Sequence, residues 1–206
     1  MESSPRLIQV ARPRSPVGAV LVLHGGASRG DRMMVSPTQL SVVRMIPTAK
    51  AAARAGNGRL AVYRLLNSWR GWDGQHTPVA DARWAMAQVR GELGDLPLGL
   101  IGHSLGGRAA LLAGAEPDVV SVVALNPWVY PTDDADLTGR RVLVLHGTQD
   151  RVASMARART VAANLARTAD VEFVEIEGGK HAMLRHGREF DRRAADFTAQ
   201  TLLSRV

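Results

Sequence analysis

Short apolar segments alternate with longer amphipathic stretches along most of this 206-residue chain. Six of these segments are bounded by turn-forming residues, namely 17–23, 60–65, 96–101, 119–125, 142–145 and 171–176. Strands that are buried on both faces of a sheet have this composition, and parallel strands need crossover connections of about a dozen residues or more. The alternation therefore predicts an α/β fold with a mostly parallel central sheet and helices on both faces.

Three of the connecting stretches predict helices. The clearest begins at Thr77-Pro78, a favourable helix start, and carries apolar residues on one face at helical spacing: Val79, Ala82, Met86, Val89 and Leu93. Further helices are predicted over 154–167 and 188–203, where they would cover the faces of the sheet. Between residues 27 and 58, Pro37 and Pro47 interrupt a helical pattern, so no boundaries are predicted there.

Composition is that of an ordinary folded domain, with 46% hydrophobic and 22% charged residues. The length suits one domain over residues 1–206 better than two. The chain contains no cysteine, which excludes disulfides, thiolate nucleophiles and sulfur-ligated metal sites. Any nucleophile must therefore be an oxygen or a nitrogen.

The formal net charge is +7, yet its distribution does not predict a nucleic-acid partner. Lys50 and Lys180 are the only lysines, and the arginines are spread along the sequence without a dense basic run. No apolar stretch has the length of a membrane span, and the first twenty residues lack the apolar core of a secretory signal. The sequence predicts a cytoplasmic protein with no membrane partner.

A glycine-rich segment follows the predicted strand 96–101. Residues 102–107 read Gly-His-Ser-Leu-Gly-Gly and lead directly into a run of helix-forming residues. In such a strand-turn-helix setting a serine can be held in a strained conformation that lifts its hydroxyl above the sheet, here Ser104. The flanking Gly102 and Gly106 would let strand and helix approach closely. By itself the pattern is weak evidence in a chain with 20 glycines, so it needs an accompanying acid and base.

Two later loops provide these groups. Asp150 follows the predicted strand 142–145 in the segment His-Gly-Thr-Gln-Asp, and His181 follows the strand 171–176 in Glu-Gly-Gly-Lys-His. The carboxyl ends of parallel strands share one edge of the sheet, where ligands bind. Serine, aspartate and histidine can therefore converge at this edge despite their separation in sequence.

The motifs GHSLGG, HGTQD and GGKH, in this order along the predicted strands, resemble those of the α/β-hydrolase superfamily over about residues 17–203. The resemblance implies that Ser104 is a nucleophile, that His181 is its general base and later the general acid, and that Asp150 orients the imidazole. It also implies a single α/β-hydrolase domain. Only 16 residues separate Leu125 from Val142, which leaves no room for a separate cap domain.

The same resemblance implies an oxyanion hole built from backbone N–H groups. One donor would be Leu105, directly after the proposed nucleophile. The other would be Gly26 or Ala27, in a His-Gly-Gly turn after the strand 17–23.

Alternatives stay open for the acid and the base. Three aspartates, Asp133, Asp134 and Asp136, lie beyond the preceding strand, where hydrolases can also place their acid. His186 and His76 compete with His181 for the role of base. His24 and His103 are interpreted as structural, and the histidines and aspartates show no coherent metal-ligand spacing. No metal and no cofactor are predicted.

The function implied is that of a serine hydrolase, similar to a carboxylesterase or thioesterase, that cleaves a small-molecule acyl substrate through an acyl-enzyme intermediate. An acyltransferase would use the same triad, and a non-catalytic hydrolase-fold binding protein is the alternative from another class. Trp69 and Trp128 follow predicted strands at the same edge and are candidates for substrate binding. The natural substrate and the oligomeric state are not determined by the sequence.

Overall fold

A seven-stranded sheet lies at the centre of the computed structural model, which describes residues 4–26 and 33–205. Its order is β1-β3-β2-β4-β5-β6-β7. The strands are β1 (Arg6–Ala11), β2 (Gly18–Leu23), β3 (Leu60–Leu66), β4 (Leu98–His103), β5 (Val119–Leu125), β6 (Arg141–Gly147) and β7 (Asp170–Ile176). Strands β2 to β7 are parallel, and β1 pairs antiparallel with β3 at one edge. The predicted mostly parallel sheet is confirmed.

Helices cover both faces of this sheet. The helices are α1 (Leu40–Val43), α2 (Met45–Ala55), α3 (Thr77–Leu93), α4 (Leu105–Ala113), α5 (Met155–Leu165) and α6 (Gly187–Leu203). Buried side chains of α3, α4 and α5 form one apolar core, and those of α2 and α6 form another. Successive residues of β2 alternate between these cores, Leu21 on one side and Val22 on the other, as the pleat of a strand requires.

The edge strand β1 was not predicted from the sequence. Its residues alternate irregularly between partly buried and exposed, and none is fully buried. Such a strand is half-solvated and lacks the continuous apolar run that identified the other six. Only its pairing with β3 reveals it as part of the sheet.

Pro47 does not break a helix, although it interrupts the apolar pattern. It is the third residue of α2, and the first four N–H groups of a helix have no acceptor within the helix. The N–H that proline lacks therefore costs this helix no hydrogen bond. Helix α2 packs against α6 through Met45, Ala49 and Ala52. Residues 126–140, between β5 and β6, contain no helix or strand, in agreement with the expected absence of a cap domain.

Within the described ranges of the chain, we find no helix that combines the length and the apolar character needed to cross a lipid bilayer.

Candidate active site

Ser104 occupies a sharp turn between the end of β4 and the start of α4. Its φ and ψ angles are 55° and −118°, an unfavourable conformation for a residue with a side chain. Ser104 N–H donates to the carbonyl of Leu125 at 2.9 Å, and its own carbonyl accepts from the N–H of Trp128 at 3.1 Å. These bonds to the last residue of β5 and to the segment after it hold the strained turn in place.

Close packing around this turn leaves no space for side chains at the two predicted glycines. A Cβ on Gly102 would overlap the carbonyl oxygen of Gly106, and a Cβ on Gly106 would overlap the carbonyl oxygens of Leu23 and His24. Strand β4 and helix α4 therefore approach closely, as the sequence predicted, and the end of β2 also packs against this turn.

Ser104, His181 and Asp150 form a continuous chain of hydrogen bonds. The Ser104 hydroxyl donates to His181 Nε2 at 3.0 Å, and His181 Nδ1 donates to Asp150 Oδ2 at 2.8 Å. The three residues follow β4, β7 and β6, whose carboxyl ends lie at one edge of the sheet. An imidazole held between a hydroxyl and a carboxylate in this way can accept the hydroxyl proton.

The carboxylate of Asp150 is fully enclosed and well supplied with donors. Its side chain has no exposed surface, and Oδ1 accepts the backbone N–H groups of Val152 and Ala153 at 2.8 and 2.9 Å. Burial acts to raise the pKa of Asp150, but the bonds from His181 and from the two N–H groups outweigh it and hold the pKa below its usual value. Asp150 is thus an ionised acceptor for the imidazole.

The loop that carries His181 is held by two further polar side chains. The Asn126 amide donates to the carbonyls of Lys180 and His181 at 3.2 Å, and its oxygen accepts the N–H of Gly147 at 2.8 Å. His103 Nε2 also donates to the His181 carbonyl, at 2.8 Å. Asn126 is completely buried and has a φ of 43°. It joins the end of β6 to the histidine loop.

The competing acids and bases lie in other environments. Asp133 forms a buried, two-bond ion pair with Arg108, and Asp134 and Asp136 are exposed. His186 directly precedes α6 beside Gly178, and His76 precedes α3 and contacts Trp72. Of these candidates, the structure brings only Asp150 and His181 to Ser104.

Two of the three predicted oxyanion donors can be located. Leu105 is the first residue of α4, so its N–H belongs to a helix N-terminus, where backbone donors have no partner within the helix. Gly26 lies beside it, and a Cβ there would overlap the carbonyl oxygen of Arg70, so only glycine fits. Ala27 lies outside the described residues.

A cleft of about 370 Å³ opens above Ser104. The described residues that line it are Gly25, Gly26, Leu40, Ser41, Val43, Arg44, His103, Ser104, His181, Ala182 and Leu184. Trp69 and Trp128 are not among them: Trp69 forms an isolated bridge with Met34, and Trp128 packs in an edge-to-face arrangement with Tyr130 near Arg108. Their contact with substrate stays a prediction.

A family model described as the alpha/beta hydrolase family matches residues 85–199, more than half of the chain. The chain belongs to this family. The matched residues of this α/β-hydrolase include Ser104, Asp150 and His181, which form the hydrogen-bond chain. Gly26 lies before the matched range.

Solved structures share the fold of this α/β-hydrolase at low sequence identity. A structure of an alpha-beta serine hydrolase homologue from Coxiella burnetii is 18% identical, with a TM-score of 0.71 over 93% of this chain and 90% of that one. The Pyrococcus furiosus esterase Pf2001 is 14% identical, with a TM-score of 0.71 over 91% and 84%. Est1E from Butyrivibrio proteoclasticus with bound ferulic acid is 13% identical, with a TM-score of 0.69 over 97% and 96%. No curated protein sequence matches the chain.

Two polar residues beside the site were not recognised from the sequence of this α/β-hydrolase. Asn126 was not singled out, although an asparagine directly after an apolar strand is a signal for a left-handed turn. Arg44 was not singled out. Its guanidinium donates to the carbonyls of Ala182 and Met183 at 2.7 and 2.9 Å, a contact across about 140 residues that no local pattern reveals.

Three buried histidines should make the stability of the protein sensitive to acid. Burial lowers the pKa of His24 to about 4 and that of His103 to about 3, from 6.5, and it also lowers the pKa of His146. Below pH 6.5 the unfolded chain therefore binds protons that the folded protein excludes, and the free energy of unfolding falls as the pH falls. Each histidine contributes up to about 1.4 kcal/mol per pH unit to this loss.

The measurement is urea unfolding between about pH 4.5 and 7.5, with His103→Asn compared with the unchanged protein. The variant should lose stability less steeply on acidification, by about 1 kcal/mol per pH unit. Asp81 and Asp191, whose pKa values burial raises, titrate alike in both proteins and cancel in the comparison. Equal slopes would show that His103 does not carry this proton linkage.

Proposed function

We propose that this α/β-hydrolase is a serine hydrolase that cleaves carboxylic esters or thioesters through an acyl-enzyme intermediate. The single observation that carries the proposal is the hydrogen-bond chain from the Ser104 hydroxyl through His181 to the buried carboxylate of Asp150. A serine hydroxyl is a poor nucleophile near pH 7, and an oriented imidazole is the group that activates it. The cleft above Ser104 gives an acyl substrate access to this hydroxyl.

In the acylation step, Ser104 Oγ attacks the substrate carbonyl carbon while His181 Nε2 takes the hydroxyl proton. Asp150 accepts the hydrogen bond from Nδ1, fixes the tautomer and stabilises the imidazolium that forms. The bond to the alcohol or thiol then breaks, and His181 gives its proton to the leaving group. A water molecule repeats the sequence on the acyl-enzyme, so that a carboxylic acid leaves and Ser104 regains its proton.

The negative oxygen of the tetrahedral intermediate needs donors opposite the nucleophile. We assign this role to the backbone N–H of Leu105, at the N-terminus of α4, and to that of Gly26 or Ala27. Gly26 lines the cleft together with Ser104, and it lies beside Leu105. The positive end of the helix macrodipole favours the developing charge at the same place.

Covalent labelling tests the proposal directly. A fluorophosphonate should label the purified protein at one site, which peptide mass spectrometry should identify as Ser104, and Ser104→Ala should abolish the labelling. Ser204→Ala, which removes an exposed hydroxyl at the end of α6, is the matched control and should be labelled like the unchanged protein. A folded protein that is not labelled contradicts the proposal and favours a non-catalytic, ligand-binding role.

A further inference from the structure

The cleft above Ser104 has apolar walls that solvent reaches. Leu40 and Leu184 are 85% and 81% exposed, and Val43 is 40% exposed. They come from two segments, α1 and the loop after His181, and they line the same cleft as the Ser104 hydroxyl. A group of large, exposed apolar side chains around a reactive hydroxyl indicates a surface that becomes covered when a ligand binds.

The polar groups in these walls are already bonded within the protein. Arg44 donates through Nε and Nη2 to the carbonyls of Ala182 and Met183. The Ser41 hydroxyl accepts from the side chain of Gln39 at 2.5 Å. Apart from the histidines of the site, Arg44 is the cationic side chain among the described lining residues, and two of its nitrogen atoms donate to these carbonyls.

Arg44 also joins the two walls to each other. It directly follows α1, and the carbonyls that it binds belong to the loop that carries His181 and Leu184. Met183, in the middle of this loop, is completely buried in the apolar core beside α2 and α6. Both walls are thus fixed before any ligand arrives, so binding does not have to order them.

We propose that this cleft binds the acyl part of the substrate and selects neutral, aliphatic acyl groups over short or charged ones. The inference rests on the proposed serine hydrolase function, because the carbonyl carbon attacked by Ser104 Oγ must carry its acyl substituent into the adjacent space. The cleft volume of about 370 Å³ is near the lower end of small-molecule sites, which suits a single unbranched chain. Leu40, Val43 and Leu184 are the residues that contact this chain.

The test is kcat/KM for p-nitrophenyl acetate, butyrate and hexanoate and for the monoester of a dicarboxylic acid of similar length. Complete burial of a methylene group is worth up to about a fourfold gain in kcat/KM. Because the cleft is open on one side, we expect a gain of about tenfold from acetate to hexanoate, with the charged ester much poorer than hexanoate. A flat series, or a preference for the charged ester, overturns the inference.

Variants at the walls make the test specific. Leu184→Ser and Leu40→Ser should each reduce the hexanoate-to-acetate ratio of kcat/KM about threefold or more, and Leu184→Met should retain it. Trp84→Ser, which removes a partly exposed apolar side chain from α3 outside the cleft, should leave the ratio unchanged. An unchanged ratio in both serine variants also overturns the inference.

The failure of this inference can be distinguished from failure of the proposed function. The fluorophosphonate could label Ser104 and the protein could hydrolyse p-nitrophenyl acetate, while the length of the acyl chain has no effect on kcat/KM. In that case only the inference about the acyl cleft is wrong. If neither labelling nor hydrolysis of any ester occurs in the folded protein, the serine hydrolase function itself is wrong.

Discussion

Replacing His181 by alanine should lower kcat/KM for a short p-nitrophenyl ester by about 10⁴-fold to 10⁶-fold. The imidazole is the group within 3.0 Å of the Ser104 hydroxyl that can accept its proton. Without it the proton has to leave to solvent, and no acid replaces it when the leaving group departs. Ser104→Ala should cause a loss of similar size, because nucleophile and base act in the same step.

These losses should not add. The double variant Ser104→Ala with His181→Ala should be no slower than the slower single variant, since either change already disables the hydrogen-bond chain. Asp150→Asn should cost about 10⁴-fold, because the amide stabilises the wrong tautomer of the imidazole. Additive losses, or a reduction below about tenfold for His181→Ala, would mean that the three side chains do not act as one unit.

An exposed histidine provides the control for these rates. His76 precedes α3 with a left-handed φ of 55°, a conformation that asparagine tolerates. His76→Asn should therefore retain the full rate. Initial rates should be compared at equal concentrations of folded protein, checked by circular dichroism, so that a loss of folding is not counted as a loss of chemistry.

Removing one partner of the Arg108–Asp133 ion pair should reduce the free energy of unfolding by about 3–5 kcal/mol. The Arg108 and Asp133 side chains are only 8% and 7% exposed, and two hydrogen bonds of 2.8 and 2.6 Å join them. Arg108→Met leaves the Asp133 carboxylate buried without its cation, with the Tyr130 N–H as its remaining donor. Methionine retains much of the apolar stem.

The guanidinium of Arg108 also packs over aromatic rings, 4.1 Å from the ring centroid of Trp72 and 5.0 Å from that of Tyr130. The contact with Tyr130 holds the segment after β5 against α4, and the contact with Trp72 holds the loop between β3 and α3 against the same helix, which begins directly after Ser104. The double variant Arg108→Met with Asp133→Leu should recover much of the lost stability, because no unpaired charge remains buried. Urea unfolding measures both variants.

An exposed ion pair on the same side of the molecule provides the comparison. Arg83 and Glu116 are 2.8 Å apart, but their side chains are 55% and 32% exposed. Arg83→Met should cost less than about 1 kcal/mol, because solvent screens the pair and hydrates the remaining carboxylate. Equal costs for Arg83→Met and Arg108→Met would contradict the view that burial makes the Arg108–Asp133 pair important.

Strand positions were the most predictable part of the fold. Segment 119–125 coincides with β5, because a continuous apolar run identifies a strand that is buried on both faces. The exposed edge strand β1 has no such run, and Pro47 obscured α2 until its place in the first helical turn was known. Prediction of the strands and helices therefore failed where a strand was only partly buried, or where the effect of a residue on a helix depended on its position within that helix.

The candidate site could be inferred from motif order because parallel strands end at a common edge. That rule brought Ser104, Asp150 and His181 together without any knowledge of distances. It could not choose between Asp150 and Asp133, since both lie beyond carboxyl ends of neighbouring strands. The choice follows from which partner each carboxylate meets, His181 for Asp150 and Arg108 for Asp133.

By itself, the sequence determined the layers of the fold and a short list of side chains that could carry the chemistry, because periodicity and strand-end position are local properties of a chain. Only the tertiary structure decided how these side chains are held. Asn126 and Arg44 fix the histidine loop through bonds to backbone carbonyls far away in sequence. A carbonyl has the same chemistry in every residue, so no pattern of side chains can indicate which of them a buried amide or guanidinium will bind.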